Sequence, residues 1–471
     1  KSILKLRIFE LEEIKLIGLF ILAVFTTYQT PQIVSTSYQL LLLYLFWKSK
    51  RDYLWLAFVF VLESEIGFTF PRIDPSHSFS IWPASPLGNL YFSLVFLYLA
   101  FFKARGKKIK RQLINRKALF YLFAYFAILL LAFGFYKFTA IFRLASNWLM
   151  LIIIPAFITS EETLKGFFKV IFPFSIIVLI TQIYFLITGS QFAESIGGTL
   201  SEAVQQGVDI EDAISALRPV YGIYVSFVCV WGSLYYLSIK KKFFNRYYLI
   251  AIMLVGILSI FISATRTWLI ATVFLLFFYF VLVSRNYILS LTQLTIVAIF
   301  AIMVISFFPS IERQVNLSIE RYETLETFVE GDITAGGTLT RFDVRGKRPI
   351  EGFLLNPILG WGVGNVYDKY ADGHVGYHTV LMSSGIIGSF LWLWVWFGFI
   401  FKMNWLNKRF SVNNKYKKAP LVIIAFALSL LLIHTSVKFF GFLLQINQAI
   451  MIVLVFTMGS QLFWTHSNKE T

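Results

Sequence analysis

Residues 246–285 read RYYLIAIMLVGILSIFISATRTWLIATVFLLFFYFVLVSR. Between the basic residues at its two ends, Arg246 and Arg285, the stretch carries a single charge, Arg266. Each half is long and apolar enough to approach the roughly 20 residues that a helix needs to cross a bilayer. The turn between them, Ser263-Ala264-Thr265-Arg266, is very short. The stretch therefore predicts two spans, 247–263 and 267–284, joined by a turn that presents an arginine.

Composition extends this reading to all 471 residues. Apolar residues make up 58% and charged residues 14%, and the mean hydropathy is +0.72. Soluble domains are nearer 45–50% apolar and about 25% charged, so a soluble enzyme, a disordered chain and a coiled coil are excluded. The 52 Phe and 12 Trp suit lipid-facing and interfacial surface better than a base-stacking platform. Cys229 is the single cysteine, which excludes an intramolecular disulfide, a cysteine-based zinc site and an iron–sulfur cluster. The formal charge of +17 bears on orientation and on anionic headgroups, and no nucleic-acid partner is expected.

Apolar runs bounded by charge, Pro or Gly predict further spans at 16–30, 33–47, 53–68, 87–102, 118–135, 139–158, 168–187, 219–238, 288–308, 379–401, 420–436 and 442–464. The expected fold is all-α: one polytopic membrane domain over 1–471 with about 12–14 transmembrane helices and a large helical periplasmic loop. The charged start, Lys1 to Lys15, has no small-residue cleavage site and predicts an uncleaved first span. With the N-terminus in the cytoplasm, the inside loops are 1–15, 48–52, 103–117, 159–169, 239–246, 285–287, 402–419 and 465–471. They hold 29 of the 42 Lys and Arg but 7 of the 25 Asp and Glu. That asymmetry follows the positive-inside rule and favours an even count with both ends cytoplasmic.

Three outer segments are long: 64–86, 188–218 and 309–378. The second holds a short predicted helix, Glu202 to Leu217, before Arg218-Pro219. In the third, Ile311, Val315, Ile319, Tyr322, Leu325 and Val329 recur at helical spacing. A Gly-rich break precedes Thr338 to Arg348, where Gly346 and Pro349 predict a short or bent helix.

Basic residues gather at the outer ends of spans. Arg218 opens one, Arg266 sits in the turn, and Arg341, Arg345 and Arg348 fall at i, i+4 and i+7, one face of a helix. His374 and His378 are spaced i, i+4 before span 379–401. Guanidinium forks bind phosphate while staying charged, and an imidazole can take a proton near neutral pH. Together they describe transfer of a group from a lipid-linked diphosphate to an alcohol. Each residue also has a plainer reading: Arg266 as a headgroup anchor, Arg345, Lys347 and Arg348 as a solvated face, the histidines as interfacial hydrogen-bonding residues. A metal at His374 and His378 lacks an obvious third ligand, so no metal site is expected. Glu63, Glu65, Arg143 and His434 fall within or near spans, where charge is costly; they either pair with a neighbour or have a role.

Asn356-Pro357-Ile358-Leu359-Gly360-Trp361-Gly362-Val363-Gly364-Asn365, followed by Tyr377-His378-Thr379-Val380-Leu381-Met382-Ser383-Ser384-Gly385-Ile386-Ile387-Gly388, resembles the O-antigen ligase and polymerase family. That family has a P-x-x-G-x-G stretch in its large outer loop and a histidine motif leading into the next span. Ser263 to Arg266 is similar to its S-x-R turn, Thr340-Arg341 to its loop arginine, and Arg218-Pro219 to an arginine opening an earlier span. The motifs cover about 210–400.

The resemblance implies a GT-C-like membrane glycosyltransferase of the bacterial inner membrane with a periplasmic site in 309–378, without nucleotide sugar or essential metal, and hence no cofactor. The donor is an undecaprenyl-diphosphate-linked oligosaccharide. The acceptor is a glycan or lipid-linked sugar, as in O-antigen and lipopolysaccharide biosynthesis, and membrane lipids and a chain-length regulator are expected partners. His378 corresponds to the base. Arg266 and Arg341, with Arg218, correspond to the diphosphate-binding arginines; Arg345, Arg348 and His374 are auxiliary. Thr379 replaces the family's usual Asn, Ser384 replaces a frequent acidic residue, and His374 is extra. About fourteen spans lean toward a polymerase, about twelve toward a ligase. A flippase or other transporter is the reading from another class, and a non-catalytic scaffold of an envelope assembly a third.

Overall fold

The computed structural model describes residues 11–65, 80–85, 88–107, 113–135, 138–188, 222–240, 243–263, 265–283, 340–373, 375–411, 414–435 and 446–467. These are almost entirely helical. In chain order the elements are α1 (Leu11–Gln29), α2 (Gln32–Lys48), α3 (Asp52–Glu65), β1 (Ser80–Ser85), β2 (Gly88–Tyr91), α4 (Phe92–Arg105), α5 (Arg116–Phe133), α6 (Phe138–Phe157) and α7 (Glu161–Thr188). There follow α8 (Ile223–Ser238), α9 (Arg246–Ile262), α10 (Arg266–Phe278, continued by a π turn over Tyr279–Val283), α11 (Thr340–Leu355), α12 (Asn365–Tyr370), α13 (Gly376–Arg409), α14 (Ala419–Ile433) and α15 (Ile446–Ser467).

Every predicted span except 288–308, which lies outside the described residues, overlaps a helix. The hairpin of 247–284 forms α9 and α10. Asn245 starts α9 by accepting a hydrogen bond from Tyr247 N at 2.9 Å, an N-cap. Among the described residues, four helices are long and apolar enough to cross a membrane: 116–133, 161–184, 376–409 and 446–465. Shorter apolar helices of 10–17 residues accompany them, among them 223–238, 246–262 and 419–433.

Three expectations need correction. The span placed at 87–102 starts at Phe92, because residues 88–91 pair with Ser80–Ser85 in an antiparallel two-stranded sheet. The helix expected to be short or bent near Arg341 to Arg348 is not short: it runs on through Pro349 to Leu355. The loop after it contains a further short helix, α12. The helix predicted over 311–329 and the segment 189–221 lie outside the described residues.

Burial sorts the helices. In α8 fifteen residues are buried, from Ile223 to Ser238, and α14 is buried nearly throughout. A helix apolar all round belongs in the middle of a bundle. Phe426 of α14 stacks on Trp231 of α8, with centroids 4.0 Å apart and planes at 9°. The helices α5 and α13 instead keep large apolar side chains exposed along one side, including Phe120, Ile128 and Leu131, and Phe390, Phe397 and Phe401.

The basic loops converge on one end of the bundle. Asp52 pairs with Lys103 and Lys107. Lys402 donates to the Ile114 carbonyl, Ile114 N to Ser460 Oγ, Gln461 to the Ile158 carbonyl, and Lys240 N to the Lys415 carbonyl. Tyr416 donates to Glu161; burial first, then this carboxylate, pushes its phenol far above the ordinary value. The described residues of loops 48–52, 103–117, 159–169, 239–246 and 402–419, grouped by charge alone, thus share one face. The opposite end carries the start of α2, whose Thr36 donates to the Ile81 carbonyl. It also carries the junction of Gly222 N with the Ser64 carbonyl at 2.9 Å, and the loop between α11 and α13.

Candidate functional site

The quoted motif residues 356–364 and 383–388 meet in space. Gly385 lies inside α13 with φ 59° and ψ −170°, a region open to glycine alone. The helix breaks there, which frees two amides and two carbonyls that a continuous helix would pair. The preceding loop pairs three of them, and Tyr125 of α5 pairs the fourth. Ile386 N donates to the Pro357 carbonyl at 2.9 Å and Ile387 N to the Ile358 carbonyl at 3.3 Å, while the Ser383 carbonyl accepts from Gly362 N at 2.8 Å. Tyr125 Oη of α5 donates to the Leu359 carbonyl at 2.6 Å and to the Ser384 carbonyl at 3.1 Å. The two chains touch so closely that a β-carbon on Gly360 would stand 2.4 Å from Gly385 N, and one on Gly385 2.4 Å from the Ile358 carbonyl. Both clash with backbone, which cannot move aside cheaply. Asn356 and Trp361 complete the loop by donating to the carbonyls of Gly360 and Gly352. The glycine motif is therefore an interlock between a loop and a broken helix.

The interlock fixes the first turns of α13, and these carry His378. Across from it lies α11. A β-carbon on Gly346 would stand 3.6 Å from His378 Nε2, and one on Gly352 would meet Tyr370 and Met382. Gly346, Pro349 and Gly352 thus form a thin seam along which α11 approaches α13. At 100° per residue, Arg345 and Arg348 border that seam. Arg345 is half-buried. Arg348 is exposed and committed: it donates to the Lys369 and Asp368 carbonyls and so holds α12 against α11. Arg341 lies in the first turn of α11; the placement of its side chain is outside what the structure describes.

His378 lies in the first turn of α13, which begins at Gly376 after non-helical Val375. The i, i+4 spacing therefore does not put His374 and His378 on one helix, because the helix starts between them; His374 is outside the described residues. Thr379, buried, accepts from Asp372 N at 3.1 Å and donates to the Asp372 carbonyl at 2.6 Å, tying the preceding loop to the first turn. Ser384 points back into α13, donating to the Val380 carbonyl.

Sequence reasoning missed the third element of this end. Tyr377 Oη donates to the Leu431 carbonyl at 2.8 Å, and its ring packs edge-on against His434, centroids 4.7 Å apart. Gly376 lies so close to His434 that a β-carbon there would stand 2.1 Å from the His434 carbonyl. His434 is fully buried and supports the turn that holds His378. Only its place at the end of an apolar run signalled this role.

Arg266 begins α10 after Thr265. Ser263 Oγ lies 2.6 Å from Thr265 Oγ1 and donates to the Ile260 carbonyl, so the serine of the turn shapes the backbone. Trp268, one turn in, packs edge-on against Tyr224 and Phe227, and Gln448 donates to Tyr224. The α10 helix packs on α14, α14 on α13 and α13 on α11. The Arg266 end is thus joined to the His378 end through the α13–α14 hairpin. The Arg266 side chain and all of Arg218 lie outside the described residues. Among the described residues no group of three or more His, Cys, Asp or Glu forms a metal-ligand set. The small cleft lined by Leu113, Pro155, Ile158 and Gln461 belongs to the basic end, away from His378.

The chain matches no family model, no curated protein and no solved structure.

Proposed function

We propose that this chain is a polytopic membrane protein and an inverting glycosyltransferase acting on a polyprenyl-diphosphate-linked glycan at the extracytoplasmic face, of the polymerase type. The observation that carries the reading is the placement of His378 opposite Gly346, where an added β-carbon would stand 3.6 Å from Nε2, on the helix that carries Arg341 and Arg345 in sequence. The opposition of this end to the gathered basic loops supports an outward site, since basic loops favour the cytoplasm. Arg341 and Arg345, with Arg266, hold the diphosphate; Arg348 is occupied by α12. His378 accepts the proton of the acceptor hydroxyl as its oxygen attacks the anomeric carbon. The bond from that carbon to the diphosphate oxygen breaks, and the polyprenyl diphosphate leaves with the electron pair. Fixed guanidinium groups stabilise the charge that develops on it.

A broken helix also suits a transporter, where unwound backbone coordinates an ion. Here the Ser383 and Ser384 carbonyls are taken by Gly362 and Tyr125, so the break is a joint rather than a coordination site. The test is incubation of the purified protein with an undecaprenyl-diphosphate-linked repeat unit. A ladder of products supports a polymerase. Product formed only after a second acceptor is added means a ligase. Glycan moved across vesicles without covalent change means a transporter. In His378→Ala, we expect folded, membrane-inserted protein with product lost by at least about a hundredfold, the usual weight of a positioned base. Arg266→Lys and Arg341→Lys keep charge but lose the fork, and we expect severe loss; near-normal turnover in them returns these arginines to headgroup anchoring.

A further inference from the structure

The last turn of α11 and the loop that leads from it to α12 are apolar where a solvent-facing segment would be polar. Leu354, Leu355, Ile358 and Leu359 are 66%, 62%, 59% and 42% exposed. Their surroundings say what covers them. Pro357 and Ile358 pair with the amides of Ile386 and Ile387, which sets Ile358 level with that turn of α13. From there α13 exposes Ile386, Ile387, Phe390, Leu393, Trp394, Phe397, Phe401 and Trp405 in succession, about 28 Å of helix at 1.5 Å per residue. That matches the ~30 Å hydrocarbon thickness of a bilayer. The far end is marked by Lys408 and Arg409, with Arg409 over the Trp405 ring. On the other side of the loop, α5 exposes Ile128 and Leu131, and its Tyr125 holds the Leu359 carbonyl. The four side chains therefore continue an apolar belt at its outer rim. Just above them, α11 carries Arg341, Arg345, Lys347 and Arg348 against Asp343 and Glu351, a net basic element. Basic residues beside exposed leucines are the pattern of a segment lying in a membrane interface.

We propose that Leu354, Leu355, Ile358 and Leu359 form a wedge seated among the acyl chains of the outer leaflet of an anionic phospholipid bilayer, with the basic side of α11 at the level of the lipid phosphates. The inference rests on the reading of the chain as membrane-spanning and is independent of glycosyl transfer. It fixes the depth of the candidate site: His378 stands no more than about 12 Å of helix beyond Ile386, within reach of the headgroup layer.

Cys229 is fully buried, so an added thiol is the reactive one. The full-length Leu355→Cys variant, labelled with an environment-sensitive fluorophore in nanodiscs of phosphatidylethanolamine and phosphatidylglycerol, is exposed to shallow-doxyl lipids and to aqueous iodide. Phe390→Cys, on the α13 belt, and Gly373→Cys, where an added β-carbon meets nothing within 4 Å, are the lipid and water references. We expect the Leu355 reporter to be quenched by doxyl lipid at least threefold more than Gly373, and by iodide at least threefold less. Quenching by iodide like Gly373, with Phe390 still quenched by lipid, overturns the wedge and leaves the membrane reading intact. Protection from both quenchers shows the wedge covered by protein, such as residues 311–329, and also overturns it. Loss of lipid quenching at Phe390 overturns the membrane reading itself. Leu354→Cys gives the same readout if Leu355→Cys does not fold.

Discussion

Beside His378 stands a residue with no side chain. Gly346 is buried in the middle of a helix, where glycine costs roughly 0.5–1 kcal/mol relative to alanine. A β-carbon there would lie at ordinary contact distance from the imidazole, so Gly346→Ala fits and strengthens α11. We expect its thermal stability in detergent to equal or exceed wild type while turnover falls about tenfold, because the methyl takes the space beside Nε2. Unchanged turnover would mean that the reacting hydroxyl does not pass that side of the ring. The motif singled out His378 as a candidate, whereas Gly346 was not singled out: in the sequence it looked like a helix breaker. Its use depends on which face α11 turns to α13. Arg348 shows the converse. Its spacing matched that of Arg341 and Arg345, but two backbone carbonyls of α12 claim its guanidinium, and spacing alone carries no information about a competing acceptor.

The interlock of loop and helix is the element on which the first turns of α13 depend. Gly385→Ala forces a β-carbon into left-handed backbone and against the Ile358 carbonyl. We expect a loss of about 3 kcal/mol or more, read as a lower unfolding temperature and new proteolytic cleavage within 354–362. Wild-type resistance to protease would show that the break can re-form as a straight helix. The helices themselves were readable because apolar runs bounded by charge report burial directly. The break was not: glycine within an apolar run also fits a packed helix, and only the partner loop makes a positive φ favourable. The hairpin of Ser80 to Tyr91 was hidden for a related reason. Its apolar residues extend the run of the next helix, and strand pairing is a contact between segments that hydropathy does not see.

At the scale of the molecule, charge segregates to one end. Asp52, 3% exposed, holds two lysines, Lys103 and Lys107, of which the second is 39% exposed. Removing one partner of a buried pair costs roughly 3–5 kcal/mol, and the access of Lys107 to water lowers this to about 2–3 kcal/mol. Asp52→Asn should therefore unfold at lower temperature without any change in the products formed; an unchanged unfolding temperature would make the pair incidental. The same segregation fixes the expected topology. Thiols at Ser411 and Gly373 should react with an impermeant maleimide from opposite sides of sealed vesicles, and the wild-type chain, with Cys229 buried, from neither. Labelling of both from one side would show that the two ends do not face opposite sides of the membrane. The grouping of basic loops was readable because short loops must alternate. How α10, α14, α13 and α11 lie side by side was not, since apolar faces on many helices fit one another in many ways.

The break at Gly385 also bears on how the chain is made. A continuous α13 would be about 51 Å long, but the unbroken part, Ile386–Arg409, is about 36 Å and suits a single crossing. For the insertion machinery, in the proposed orientation, the segment to be released sideways into lipid therefore begins at Ile386. The ten residues before it, Gly376–Gly385, must be handed through to the far side. There they find the carbonyls and amides of residues 357–362, which were exported before them. The histidine turn is thus completed only after export, on the side where a lipid-carried donor would be met.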